Sequence, residues 1–147
     1  MSSKRGFTLI ETMIATGILV SGLVAVAYMV SCSVQTNYTT QQMTSATMLL
    51  HDKLEELRAT SFGTLAAGGG LDGTNPTTNF REWVTIASNG AVTSSTAEVT
   101  TAGYLRLWQI TGTNPLTITV LVFAQRSGVT GGQLELARAS TSLTSPF

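Results

Sequence analysis

Between Glu11 and Asp52 the chain carries no Asp, Glu, Lys or Arg, a gap of 40 residues. Its first part, Phe7 to Val34, consists mostly of Ile, Leu, Val, Ala, Met and Phe. A bilayer-spanning helix needs about 20 apolar residues, so the segment is long enough to span. Lys4 and Arg5 stand immediately in front of it. Cations flanking a span stay on the cytoplasmic side, so the N-terminus is expected in the cytoplasm and everything from about Ser33 onward outside it.

The rest of the composition narrows the class. At 147 residues the chain has room for one domain, or one domain and an anchor. Eight cations balance eight anions, and only 11% of residues are charged. That composition offers no basic face for phosphate neutralisation, so no nucleic-acid partner is expected. A single Cys excludes an intramolecular disulfide framework and any multi-Cys zinc site. The single histidine, His51, argues against a His-rich metal centre or a His-based triad.

Three kinds of processing compete for the N-terminal segment. In a secretory signal peptide, Lys4 and Arg5 form the basic region and Ala25-Val26-Ala27 the cleavage signal. In a lipoprotein, Met29-Val30-Ser31-Cys32 serves as a loose lipobox with Cys32 acylated. Neither uses Glu11, although a carboxylate in an inserting helix costs on the order of 3 kcal/mol. The third reading uses every residue. Ser2-Ser3-Lys4-Arg5-Gly6-Phe7-Thr8-Leu9-Ile10-Glu11, followed by the apolar run, resembles the start of a type IV prepilin. The resemblance implies cleavage between Gly6 and Phe7 by a prepilin peptidase, N-methylation of Phe7, and a role for Glu11 in assembly.

Physical chemistry makes sense of those residue types. Gly6 passes a protease cleft without a side chain. Cleavage there exposes a cationic amine at the tip of an apolar helix, with the Glu11 carboxylate one turn away. A buried charge is tolerated when paired. The resemblance therefore implies that Glu11 of an incoming subunit pairs with the Phe7 amine of a neighbour and sets axial register. Snorkelling to the membrane interface is the other role open to Glu11.

The organisation expected is a leader over residues 1–6, a membrane and fibre-core helix over 7–33, an amphipathic helix half over 34–60, a Gly-rich linker over 61–79 and a β-sheet head over 80–147. The helix as a whole, Phe7 to Thr60, would be roughly 80 Å long. Gly17 and Gly22 would let neighbouring helices approach. The helix-breaking Pro of many pilins has no counterpart, because the first proline is Pro76. Met43, Ala46, Leu50, Leu54 and Leu57 form a stripe at helical spacing, with Asp52, Lys53, Glu55, Glu56 and Arg58 on the other sides. The stripe reads as the face that packs on a head; a coiled-coil seam is the alternative, although two heptads are short for one.

Gly68-x-Gly70-x-x-Gly73 formally matches a dinucleotide fingerprint, but a helix precedes it and no helix-opening pattern follows. Strands are expected over Phe80 to Ile86, Ala91 to Thr93, Glu98 to Thr100, Tyr104 to Thr111, Leu116 to Ala124 and Gln133 to Ala139. Asn89-Gly90 and the Gly128, Gly131, Gly132 group mark turns. The tail from Ser140 to Phe147 reads as loose. Trp83 and Trp108 read as core or sheet-face residues, with ligand-stacking platforms the alternative. One long helix and an antiparallel sheet make an α+β, pilin-type fold.

Two later stretches, Ala46 to Ala59 and Tyr104 to Val120, resemble the PilV-like branch of minor pilins and also the small I-type pseudopilin of type II secretion. The resemblance implies a structural subunit, not an enzyme, with no cofactor or metal. Its partners would be other pilin subunits, the prepilin peptidase, the inner-membrane assembly machinery and the membrane itself. A membrane-tethered periplasmic enzyme or lipoprotein is the remote alternative. A DNA-binding or adhesive tip would need Arg81, Arg106, Arg126 and Arg138 on one face.

Overall fold

The computed structural model describes residues 7–125 and 134–145. The leader positions Lys4, Arg5 and Gly6, the Gly128–Gly132 turn and Arg126 lie outside the described residues. The expected helix is present as α1, Leu9–Ala59, 51 residues without interruption. No proline interrupts it, and its end coincides with the Gly-containing stretch after Thr60. The chain divides into two compact units at Thr40 and Gln41.

The first unit is the N-terminal part of α1. Fifteen large apolar side chains from Phe7 to Val34 are exposed. Fully burying such a side chain is worth about 1.5–3 kcal/mol, so the set represents roughly 20–45 kcal/mol of unrealised burial. That exceeds the roughly 5–15 kcal/mol net stability of an ordinary domain, so this surface needs lipid or protein around it. Its hydroxyls turn inward onto the helix. Thr12 Oγ1 donates to the Leu9 carbonyl at 2.8 Å, Thr16 Oγ1 to that of Thr12 at 2.9 Å, and Ser31 Oγ to that of Ala27 at 3.0 Å. Donors satisfied within their own helix are compatible with hydrocarbon.

The second unit joins the remainder of α1 to an antiparallel sheet. After a single 3-10 turn at Phe62–Thr64 come β1 (Gly68–Gly69), β2 (Arg81–Ile86), β3 (Val92–Ser95), β4 (Tyr104–Thr111), β5 (Leu116–Ala124) and β6 (Leu134–Leu143). The order across the sheet is β3-β2-β4-β5-β6, and β1 pairs with β4. A long helix packed on an antiparallel sheet is the α+β, pilin-type architecture the sequence predicts.

Both faces of the sheet are covered. Strand alternation sends Trp108 and Ile110 of β4 and Ile118, Val120 and Val122 of β5 to one side. There they pack with Ala46, Leu50, Leu54 and Leu57 of α1. Leu105, Leu107, Leu121 and Phe123 go to the other side, where Trp83, Ala102, Leu71 and Val99 close over them. The two tryptophans are thus both core residues, as expected, but on opposite faces. Arg58, at the end of α1, donates from Nη2 to Thr141 Oγ1 of β6 at 2.7 Å, tying the helix terminus to the sheet edge.

Four local expectations need correction. Met43 is exposed, and the buried stripe begins at Ala46. Lys53, assigned to the polar sides of the helix, is buried with only 3% of its surface exposed. Of its two counter-charges, Glu56 lies three residues on in the same helix and Glu82 comes from the sheet, far away in sequence. Glu98 to Thr100 is not a strand; Val99 instead packs its side chain under the sheet. Ser140 to Leu143, read as loose tail, is the second half of β6. Its backbone is held by the ladder with Leu116 to Thr119 of β5.

The Gly-rich segment has a packing role of its own. Gly69 has φ +90°, and a Cβ there would run into the Trp108 carbonyl oxygen and the Phe80 ring. The missing side chain lets β1 lie against β4 at Gln109.

Candidate functional site

Phe7 and Glu11 lie at the start of α1. Thr8 precedes the first helical residue and acts as its N-cap. The Glu11 amide donates to Thr8 Oγ1 at 3.3 Å, and the Thr8 amide donates to Glu11 Oε2 at 3.4 Å. This is a capping box: Glu11 satisfies the Thr8 amide, while the Glu11 amide is shared between Thr8 Oγ1 and the Thr8 carbonyl, the latter at 3.1 Å. Both side-chain bonds are long, as befits an exposed helix end. The negative charge of Glu11 also suits the positive end of the helix dipole. Glu11 thus has a local role that does not depend on any neighbour. Thr8-x-x-Glu11 has the spacing of a capping box, a signal legible in the sequence.

Phe7 is 82% exposed, with its peptide link to Gly6 just outside the described residues. Phe7 lies one residue before the cap, and Glu11 one turn beyond Phe7. No group of three or more potential metal ligands occurs among the described residues. His51 and Cys32 are both exposed on α1.

A second polar constellation joins α1 to the sheet. Under α1, Lys53 Nζ donates to Glu82 Oε1 at 2.8 Å and to Glu56 Oε1 at 2.9 Å. Arg106 binds the other oxygen of Glu82 through Nε at 3.1 Å and also through Nη2. Arg106 Nη1 reaches the Leu49 carbonyl of α1 at 2.8 Å. The Lys53 ammonium lies 4.3 Å from the centre of the Trp108 ring, a cation–π contact. Burial pushes the Glu82 carboxyl up, but hydrogen bonds from Lys53 and Arg106 and their charges outweigh it, leaving the pKa lowered. The strand register makes the pairing possible, because Glu82 of β2 sits directly opposite Arg106 of β4. No short-range sequence signal joins residues 53, 82 and 106.

Among the described residues, Arg81, Arg106 and Arg138 do not form a common basic face. Arg106 is buried against the helix, whereas Arg81 and Arg138 project from the opposite side of the sheet. Arg81 stacks 4.6 Å from the Trp83 ring centre, and Arg138 is paired with Glu135 at 2.9 Å.

Residues 1–27 match the family model described as the prokaryotic N-terminal methylation motif. The chain therefore carries a prepilin N-terminal methylation motif, leading into the one described helix that is long and apolar enough to cross a membrane. The motif supports a type IV pilin or pseudopilin precursor, a substrate of a prepilin peptidase that assembles with other pilin subunits. Families with this motif are structural. No curated protein and no solved structure matches the chain.

Proposed function

We propose that the chain is a minor type IV pilin that primes or caps a pilus. Lys4 and Arg5 hold the leader in the cytoplasm while α1 enters the inner membrane. The peptidase hydrolyses the Gly6–Phe7 bond, and the new Phe7 amine receives a methyl group. The apolar half of α1 then leaves lipid for the helix bundle at the fibre core, exchanging one apolar environment for another.

The observation that carries this reading is the methylation motif opening directly into an apolar helix half, without a charge from Thr12 to Thr40, whose large apolar side chains are exposed among the described residues. Its one acid, Glu11, stands in the first turn. In a bundle of such helices a released Phe7 amine is the cation available to Glu11, and a subunit displaced along the axis would leave both charges unpaired. The capping hydrogen bond uses one carboxylate oxygen, so the other remains for the neighbouring amine.

The test is the mass of the N-terminal peptide from protein extracted from its native cells. A peptide beginning at methylated Phe7 is expected. A start after Ala27, or an acylated Cys32, would overturn the proposal. Deleting the chain then separates the two machines: loss of pili supports the minor pilin, and loss of protein export with pili intact supports a type II secretion pseudopilin.

A further inference from the structure

We infer that Tyr28 fixes how deep α1 sits in a bilayer, by lodging its hydroxyl among the phospholipid ester carbonyls at the C-terminal end of the span. The inference rests on the reading that α1 enters a membrane. The apolar segment, Phe7 to Val34, exceeds the roughly 20 residues that cross a bilayer, so its length leaves the depth open. Most polar side chains in it carry no information about depth. The hydroxyls of Thr12, Thr16, Ser21 and Ser31 all donate to carbonyls of their own helix. Tyr28 differs. It is 72% exposed, and its hydroxyl has no partner among the described residues. A phenol is too long and rigid to fold back onto its own helix, so its hydroxyl takes an acceptor from outside.

A span of about 20 residues over 8–27 places Tyr28 at one edge and Glu11 just inside the other. Sliding α1 by one turn toward its N-terminus draws in Tyr28, Met29, Val30 and Ser31 and releases Thr8, Leu9, Ile10 and Glu11. Leu9 and Ile10 nearly balance Met29 and Val30, and Thr8 balances Ser31. The exchange of Glu11 for Tyr28 decides the outcome. Side chains on a helix lean toward its N-terminus. Glu11 therefore leans out of the bilayer and reaches water, so releasing it gains little. Tyr28 leans into the bilayer, so the same slide carries its hydroxyl about 6 Å into hydrocarbon, where lipid offers no acceptor. The opposite slide is resisted by Glu11, whose carboxylate would be drawn inward. The two residues thus stop the helix in opposite directions. Cys32 is left one turn beyond Tyr28, outside the hydrocarbon.

The test uses the full chain in phospholipid nanodiscs, with a spin label on Cys32, the single cysteine of the sequence. Collisions with oxygen and with a water-soluble nickel chelate give the depth of the label. In the parent it should lie in the headgroup zone. Tyr28→Phe removes only the hydroxyl and should move the label about 6 Å toward the bilayer centre. Tyr28→Trp keeps a donor on an aromatic ring and should leave the label in place. Position 28 is exposed and belongs to the N-terminal unit, so neither variant disturbs a packed core. A parent label inside the hydrocarbon overturns the inference. So does a Tyr28→Phe label that moves by less than about 1.5 Å, or a Tyr28→Trp label that moves as far as that of Tyr28→Phe. The anchor and the pilin reading fail separately. A methylated Phe7 terminus with an unmoved label rejects the anchor and leaves the pilin reading in place. A native chain that starts after Ala27 rejects both, since the span is then removed.

Discussion

Replacing Glu82 with Gln keeps the shape of the side chain and removes the one charge that Lys53 and Arg106 share. Lys53 and Arg106 are almost fully buried, with side-chain exposures of 4% and 6% against 14% for Glu82. After the change Lys53 retains Glu56, which is 60% exposed and therefore a screened partner. Arg106 retains the Leu49 carbonyl. The Gln amide oxygen can accept from one cation, but its NH2 group must face the other. Breaking a buried pair costs about 3–5 kcal/mol. The residual partners and the partial exposure of Glu82 place this case at the lower end, about 3 kcal/mol. Guanidinium unfolding of the full chain in detergent, followed by tryptophan fluorescence, reads the change as a lower midpoint at unchanged m. Trp108 lies beneath Lys53 and reports on the site. The pH dependence supplies an independent check. The Glu82 pKa is lowered in the folded chain, so its contribution is complete above the ordinary Glu pKa of about 4.3. It is lost as pH falls through the folded value. The parent should lose stability more steeply than Glu82→Gln below about pH 4.3. A loss under about 1 kcal/mol, with parallel acid profiles, would show that solvent screens the cluster and would refute the reasoning.

Other perturbations address the remaining features. Gly6→Val places a branched side chain at the scissile bond and should block maturation; recovery of a mature Phe7 terminus by mass spectrometry would contradict this. Glu11→Ala should leave cleavage intact but reduce incorporation into fibres, measured as the ratio of fibre-borne to membrane-borne subunit. It should also loosen the first turn by about 0.5–1 kcal/mol through loss of the capping box, visible as faster amide exchange near Thr8. Gly69→Ala forces a Cβ into the Trp108 carbonyl and the Phe80 ring at a positive φ. It should cost about 2–4 kcal/mol in thermal or denaturant unfolding, whereas Gly63→Ala, where a Cβ meets nothing, should cost little.

Periodicity made the helix legible, and strand composition made most of the sheet legible. Both are local properties: a 3–4 repeat of Leu and Ala appears in the residues themselves, as do the apolar alternations of β4 and β5. The signals failed where partners are distant. The Ser140–Leu143 stretch has the polar composition of a frayed tail, yet β5 offers it a ladder to complete. Val99 sits in a weakly β-like run but anchors a loop across the outer sheet face. Gly69 is a turn signal in sequence and a close-approach site in space, because only folding brings the Trp108 carbonyl to it.

The N-terminal site was almost wholly written in consecutive residues. Gly6, Phe7, Thr8 and Glu11 fall within six positions, and a methylation motif with a helix cap can be encoded locally. The capping box follows from the three-residue separation of Thr8 and Glu11 alone. The ion cluster follows from nothing local. Lys53 reads as one more polar residue on an amphipathic helix until β2 and β4 set Glu82 opposite Arg106 beneath it. Charges separated by 29 and 24 residues acquire their meaning when the strand register brings their side chains within hydrogen-bond reach. The sequence by itself therefore determined the long apolar helix, the methylation motif in front of it and the α+β class, because those depend on neighbouring residues. The tertiary structure alone decided which lysine is buried and what it holds, because Coulomb attraction in a dry interior depends on distance in space and not along the chain.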